Sequence, residues 1–467
     1  MKKITLLFLV LSTLLLTTRC GDDLDDVINP SSNLEISDFI YRGLNFWSIY
    51  KEDVPDLAND RFNSDAERRD FLSQFETPEE AFDALLSPQD RFSILSSDFI
   101  ELENALAGVR VSSGMRFSLF IQPDNSSLVF GVVRFVFNTG AASDAGVERG
   151  MIFTGIDGNP LTTNSDLGAI FDQPSFTIDL ATYDGTNFTP TGESITLDQT
   201  ELSINPVHIA STLTIEGQNI GYLHYTGFTN EFDSDLNAAF GQFQADGITD
   251  LVLDLRHNGG GSIETSNDLS SMITGQFNGQ TFISQRYNED RDADFARVRT
   301  FNNTIEATGE QINSLGLSRV FVLTTGSTAS ASELILSGLD PYINIIQIGT
   351  NTSGKFEGSF LVYDAPPPLF RRSEASIGHR FVMLPLVLRS VNAQGLTDYF
   401  DGFTPDIEIA EDVFNLGQLG DINEPLLAAA LNEIFPGRSP RDYNLIERES
   451  RFESDESDLL YQRMIVD

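Results

Sequence analysis

The chain of 467 residues has one cysteine and one tryptophan, and its only histidines are His208, His224, His257 and His379. The single thiol, Cys20, excludes an intrachain disulfide framework. The histidines have no metal-ligand spacing, so no metal site is expected, and nothing in the sequence calls for a cofactor. Basic residues are scarce: 29 Lys and Arg stand against 69 Asp and Glu, a net charge of −40. That balance argues against nucleic acid as a partner and for a well-hydrated surface, while saying little about fold. The apolar run from Ile4 to Leu16, behind two lysines, is too short to be read as a membrane span and has the pattern of a secretory signal. What remains is ordinary for a globular protein, with 40% hydrophobic and 21% charged residues, in a chain long enough for two or three domains.

Taken in order, residues 1–20 read as a signal ending in Cys20, and 21–33 as an acidic linker that opens Gly21-Asp22-Asp23-Leu24-Asp25-Asp26. Residues 34–106 are helical and amphipathic. Phe39, Leu44 and Trp47 form a stripe, and Thr77-Pro78-Glu79-Glu80 is a helix start with proline in the first turn. Residues 114–205 change to short strands with turn residues between them. From 206 to 412 strands alternate with helices, which implies a largely parallel, covered sheet. Arg286 to Arg299 reads as a polar surface loop, and His379 to Ile409 as a strand pair and a turn. Residues 413–467 read as a helix, Pro425 to Ile434, and a charged tail.

The chemistry is concentrated between Arg319 and Leu339, RVFVLTTGSTASASELILSGL. The run Val320 to Leu323 breaks at Gly326, passes through small residues and re-emerges with helical spacing at Leu334, Ile335 and Leu339, so it predicts a strand, a tight turn and a helix. Ser330 falls at the helix N-terminus, where unpaired N–H groups and the positive end of the dipole favour developing negative charge. Ser330-Ala-Ser-Glu333 is also a capping box, so this stretch alone allows either a nucleophile or a cap. Upstream, ITDLVLDLRHNGGGS is a buried strand ending in Asn258 and three glycines, where backbone N–H groups can approach a ligand without a Cβ in the way. Downstream, Lys355 follows another apolar strand.

DLRHNGGG, then STASASE, then a lysine twenty-five positions after Ser330 resemble the carboxy-terminal processing proteases of family S41. The resemblance implies that Ser330 is the nucleophile and Lys355 its general base. It implies an α/β catalytic core of the S41 (ClpP/crotonase-like) type, a small N-terminal helical region that includes the DRFSIL segment (Asp90 to Leu95), and a β-rich PDZ domain. The PDZ reading rests on Ala145 to Gly150 and the turn Ile156 to Gly158; it puts the peptide-binding loop at Phe117-Ser118-Leu119-Phe120. A PDZ groove takes an extended peptide as an added strand. Many members have glutamine four residues after the lysine, where this chain has Ser359. Cys20 with its acidic run resembles the lipidated cysteine of bacterial surface lipoproteins, which implies a lipid anchor in the cell envelope, on the periplasmic or surface face of the outer membrane.

These readings combine into a serine endopeptidase that cuts extended or unfolded polypeptides near their C-termini. Lys355 would take the proton of Ser330, and N–H groups of Ala331 and of Gly259 or Gly260 would hold the oxyanion. Glu333 orients the site or caps the helix; Asn258 and Arg256 shape the glycine loop. Two alternatives stand beside this: a histidine base, His257 or His224, and a surface lipoprotein that binds peptides without cutting them. The anchor is directly testable. Cys20→Ser is expected to release the protein from membranes, and equal membrane association of mutant and wild type in a fractionation would contradict it.

Overall fold

The computed structural model describes residues 26–437 and 448–466. The apolar run before Cys20 and Cys20 itself lie outside them. The centre is a six-stranded sheet in the order Val207–Ile215, Gln218–Tyr225, Asp250–Asp254, Arg319–Thr324, Asn344–Gly349, Ile407–Glu408. The first pair is antiparallel and the other neighbours are parallel. Strand residues alternate between two buried faces. Leu251, Leu253, Val320 and Val322 meet the helices Asp233–Asp246, Ile263–Thr274 and Ala331–Leu339 through Phe240, Leu269 and Leu334. Val252, Phe321 and Leu323 meet the helix Pro425–Ile434 through Leu426, Leu427 and Leu431. Both faces being covered explains why these strands read as unbroken apolar runs.

A second six-stranded sheet runs Gly261–Ser262, Met464–Ile465, Glu357–Ser359, Leu386–Asn392, Thr281–Tyr287, Arg297–Thr300. Here the expected strand pair at 379–409 is corrected. Pro385 interrupts the run: Val382–Leu384 joins a three-stranded sheet with Ile94–Ser96 and Val362–Tyr363, while Leu386–Asn392 pairs with Glu357–Ser359 and Thr281–Tyr287. Proline supplies no N–H to a ladder, so one apolar stretch serves two sheets. The polar stretch 286–299 is likewise a loop only at its middle, its ends lying in strands. The N-terminal helices dock on this side, with Phe39, Leu44 and Trp47 packed against Val362, Val387 and Leu388. Thr77 caps the helix Pro78–Ala84 by accepting from the Glu80 N–H.

The β-rich domain is built on Met115–Gln122, Asn125–Val136, Ile152–Ile156, Ser175–Tyr183 and Phe188–Asp198 around Phe117, Leu119, Val133, Phe153 and Ile178. It is tied to the core by a two-stranded stalk, Val109–Ser112 against Thr200–Ser203. Phe117 to Phe120, expected as a binding loop, instead lie inside an eight-residue strand. The last described segment also departs from expectation. A charged tail was read there, yet Phe452–Glu453 pairs with the strand Met115–Gln122, and Met464–Ile465 inserts between Gly261–Ser262 and Glu357–Ser359. Met464 is fully buried in the main core, so the apolar run Met464, Ile465, Val466 decides the placement against the charges before it.

The helix Pro425–Ile434 is joined to the carboxyl end of the central sheet by Arg256. Its buried guanidinium binds Asp254 (2.9 Å), Glu411 (2.9 Å) and Glu424 (2.6 Å), and Glu424 in turn caps that helix. Removing one partner of such a cluster leaves uncompensated buried charge. Arg256→Leu is expected to destabilise the protein by about 3–5 kcal/mol in urea unfolding.

Candidate active site

The glycine loop, the Ser330 turn and the Lys355 loop all lie beyond the carboxyl ends of parallel strands, the place where such sheets bind ligands. Ser330 immediately precedes the helix Ala331–Leu339 with φ 65° and ψ −120°, left-handed backbone that a non-glycine residue rarely adopts. Ser330 Oγ is buried and makes no hydrogen bond among the described residues. The cap is half made: the Glu333 carboxylate accepts the Ser330 N–H at 2.8 Å, while the serine hydroxyl is not used for capping.

Glu333 does more than cap. Its Oε2 accepts from the N–H groups of Ser330 and Lys355, each at 2.8 Å, and its Oε1 accepts from Thr352 Oγ1 (2.6 Å) and the Gly354 N–H (2.8 Å). One oxygen therefore brings the serine and lysine backbones side by side. Burial pushes this carboxyl up to about 7, opposed by the four donors, Thr352 first. The lysine loop is held from outside by the stretch 402–406. Phe403 N–H donates to Thr352 Oγ1 at 2.7 Å, and Gln347 N–H donates to Asp406 at 2.8 Å.

Lys355 is fully buried, with its Nζ 4.4 Å from the centre of the Phe92 ring, 3.9 Å from Glu357 Oε2 and without a hydrogen bond among the described residues. Loss of hydration brings its pKa down from 10.5 to about 7; the Glu357 charge opposes the shift and the Arg463 charge adds to it. Glu357 is itself fixed by the Tyr50 hydroxyl, which donates to Oε1. Ser359 is buried on the same strand, and its hydroxyl makes no hydrogen bond among the described residues, to Lys355 included.

In the glycine loop, Asn258 Nδ2 donates to Tyr225 O at 3.0 Å and its Oδ1 accepts the Gly260 N–H at 2.9 Å. Gly259 and Ala331 are thus the candidate oxyanion donors whose N–H groups are not committed to Asn258. Gly260 has φ 111°, and a Cβ there would stand 2.5 Å from Ser330 Oγ, so only glycine permits the loop to approach the serine this closely.

Three histidines far apart in sequence form a chain that the sequence did not reveal. His224 Nε2 lies 3.0 Å from His257 Nδ1, His208 Nδ1 lies 2.9 Å from His224 Nδ1, and His208 Nε2 lies 2.9 Å from Val136 O. The carbonyl end requires His208 Nε2 to donate, which fixes each tautomer in turn and leaves His257 Nε2 a lone pair. Burial favours the neutral form of all three, most strongly for His224 and His257, and none hydrogen-bonds Ser330 Oγ. Tyr50, Phe92 and Glu357 were also not identified from sequence as parts of the lysine's surroundings.

Residues 219–362 match the family model described as Peptidase family S41, and 35–94 match the one described as Peptidase S41 N-terminal domain. The chain is 24% identical over 149 residues, 32% of its length, to the "Probable CtpA-like serine protease" of Staphylococcus aureus, covering 27% of that protein. It is 25% identical over 167 residues to the carboxyl-terminal-processing protease of a Picosynechococcus species, covering 36% of each chain. The chain thus spans about a third or less of these curated relatives. A solved structure of a candidate S41 protease from Bacteroides fragilis superposes with a TM-score of 0.68 at 26% identity, over 85% of this chain and 96% of that one. Residues 219–362 and 35–94 are thus similar to S41 peptidases, and the fold superposes on that of one solved S41 protease.

The burial of Lys355 has a measurable consequence for stability. Folding lowers its pKa, so between about 7 and 10.5 the unfolded chain binds the additional proton, and stability rises with pH across that window. Lys355→Met removes the desolvated amine and is expected to stabilise the fold by about 1–4 kcal/mol at neutral pH, with the gain shrinking as urea unfolding is repeated towards pH 10.

Proposed function

We propose that this protein is a serine endopeptidase acting on extended or unfolded polypeptides, near their C-termini, through Ser330 and Lys355. The observation that carries the reading is the pairing of a strained turn that leaves the Ser330 hydroxyl uncommitted with a buried lysine whose pKa falls to about 7. A neutral Lys355 amine takes the hydroxyl proton as Ser330 Oγ bonds to the scissile carbonyl carbon. The N–H groups of Gly259 and Ala331 receive the resulting oxyanion. The ammonium then returns its proton to the departing amine, leaving an acyl-enzyme that water hydrolyses by the same sequence. Glu333 is a positioning residue, since it touches the backbones of both Ser330 and Lys355.

The β-rich domain is read as a PDZ module offering the strand Met115–Gln122 as an edge for peptide addition. The protein is read as anchored in the cell envelope by lipid at Cys20. Polypeptides and the membrane are the proposed partners.

Casein and short unstructured peptides test the chemistry. Ser330→Ala, Lys355→Ala and Lys355→Arg are each expected to lower kcat by about 10³-fold or more, guanidinium being no base near neutrality. The wild-type rate is expected to rise with pH on a limb near 7, where the Lys355 amine becomes neutral. Retention of most activity by Lys355→Arg would overturn the dyad. An acid limb well below the usual imidazole range that vanishes in His257→Ala would favour the histidine base.

A further inference from the structure

The segment from Arg451 to Val466 follows one continuous route over both places where a substrate chain would bind. It begins at the edge of the β-rich domain. Phe452 and Glu453 pair antiparallel with Leu119 and Ser118, the Arg451 N–H donates to Leu119 O (2.8 Å), and the Phe117 N–H donates to Ser454 Oγ (2.9 Å). The Phe452 ring stacks on Phe171, centroids 5.8 Å apart and planes 11° apart, and also meets Phe117. Phe171 ends the helix Leu167–Phe171, so the groove between strand and helix holds this segment's own side chain. This is strand addition performed within one chain.

Charge complementarity fixes the middle of the route. Glu453 pairs with Arg134 at 2.8 Å and Asp455 with Arg116 at 3.0 Å; Asp458 bridges Arg116 and Arg110. In a chain with 29 basic residues against 69 acidic ones, three arginines converge on one short acidic stretch.

The segment then crosses the glycine loop. The position a Gly260 Cβ would take is 2.5 Å from Ser330 Oγ and 2.8 Å from Arg463 O, so the serine hydroxyl and the Arg463 carbonyl both border this glycine. The Gly261 N–H donates to Arg463 O at 2.8 Å, Met464 and Ile465 run parallel to Gly261 and Ser262, and the Val466 N–H donates to Ser359 O at 2.8 Å. Backbone hydrogen bonds hold the segment in a slot whose near wall is glycine, and the buried Met464 and Ile465 side chains add apolar packing. A cavity of about 330 Å³ runs beside the segment, between Phe135, Phe137, His257 and the glycine loop on one side and Leu460 and Tyr461 on the other.

We propose that Arg451–Val466 is a tethered occupant of the peptide-binding track, and that a polypeptide is cut only after displacing it. The slot between Gly261–Ser262 and Glu357–Ser359 then receives substrate as a strand, and the edge at Ser118–Leu119 receives a more distant part of the same chain. Cutting rests on the peptidase reading above; occupancy and displacement do not.

The test uses the full chain. A fluorescein-labelled peptide with the sequence of residues 451–466 is titrated by anisotropy against Ser330→Ala protein, with and without Met464→Asp. That substitution places an unpaired charge in the buried slot and expels the segment. Because the intramolecular segment competes at a high effective concentration, Met464→Asp is expected to tighten peptide binding about tenfold. In the Ser330 protein it is expected to raise kcat/KM on casein by a similar factor. Phe452→Asp, at the partly exposed edge of the β-rich domain, is expected to raise both about threefold, and it carries the test should Met464→Asp lose its circular dichroism. Tighter peptide binding with no cutting of casein by any protein would uphold the occupancy and refute the peptidase reading. Folded variants that bind the peptide and cut casein no better than wild type would show a permanent structural strand and overturn the proposal.

Discussion

The carboxylate of Glu333 is the constraint on which the rest of the site depends. Four donors from two loops of the fold end on its two oxygens. Ser330 comes from the turn after one parallel strand, and Thr352, Gly354 and Lys355 from the loop after the next. Hydrogen bonds to a charged group contribute about 1.5–3 kcal/mol each; the four oppose the burial, which still leaves the carboxyl up at about 7. Three of the four partners are backbone N–H groups, which can only donate, while the Thr352 hydroxyl can donate or accept, so the Glu333 carboxyl fits these partners whether charged or protonated. By taking the Ser330 N–H rather than its O–H, it fixes the backbone in its strained conformation and leaves the hydroxyl available for chemistry.

Lys355 is governed by the opposite choice. It has no direct hydrogen bond among the described residues; an aromatic face and a carboxylate at 3.9 Å are its nearest named surroundings. Glu357 is close enough to oppose the fall in pKa without cancelling it, and Tyr50 holds that carboxylate by one oxygen. The N-terminal region thereby borders the lysine, Phe92 directly and Tyr50 through Glu357.

The sequence was readable where the site is local. Ser330, Glu333 and Lys355 sit on two adjacent strand ends, and both the apolar runs and the small-residue turn announce that arrangement. Tyr50 and Phe92 carry no such mark, because what brings them to Lys355 is packing between segments hundreds of positions apart. The histidine chain was hidden for a related reason. His208 and His224 approach each other through the register of an antiparallel pair in which Ile209 faces His224, and His257 follows the next strand over. Pro385 was legible in principle, and it marks the point where one apolar stretch passes from one sheet to another. The placement of residues 451–466 was not legible, because its three strand pairings are at most two residues long and use backbone atoms, while the charged residues before Met464 advertise a surface.

That segment also bears on the lysine it covers. The Arg463 guanidinium faces the same Phe92 ring as Lys355, at 5.8 Å from the ring centre, and its charge adds to the depression of the lysine pKa. Removing the segment would take away that cation and admit water, and both changes favour the ammonium form. A substrate strand that replaces the segment restores the exclusion of water without the arginine. On the proposed reading of Lys355 as the base, the charge of its amine follows occupancy of the slot: the neutral form is favoured when a chain lies over it and the ammonium form when it is open.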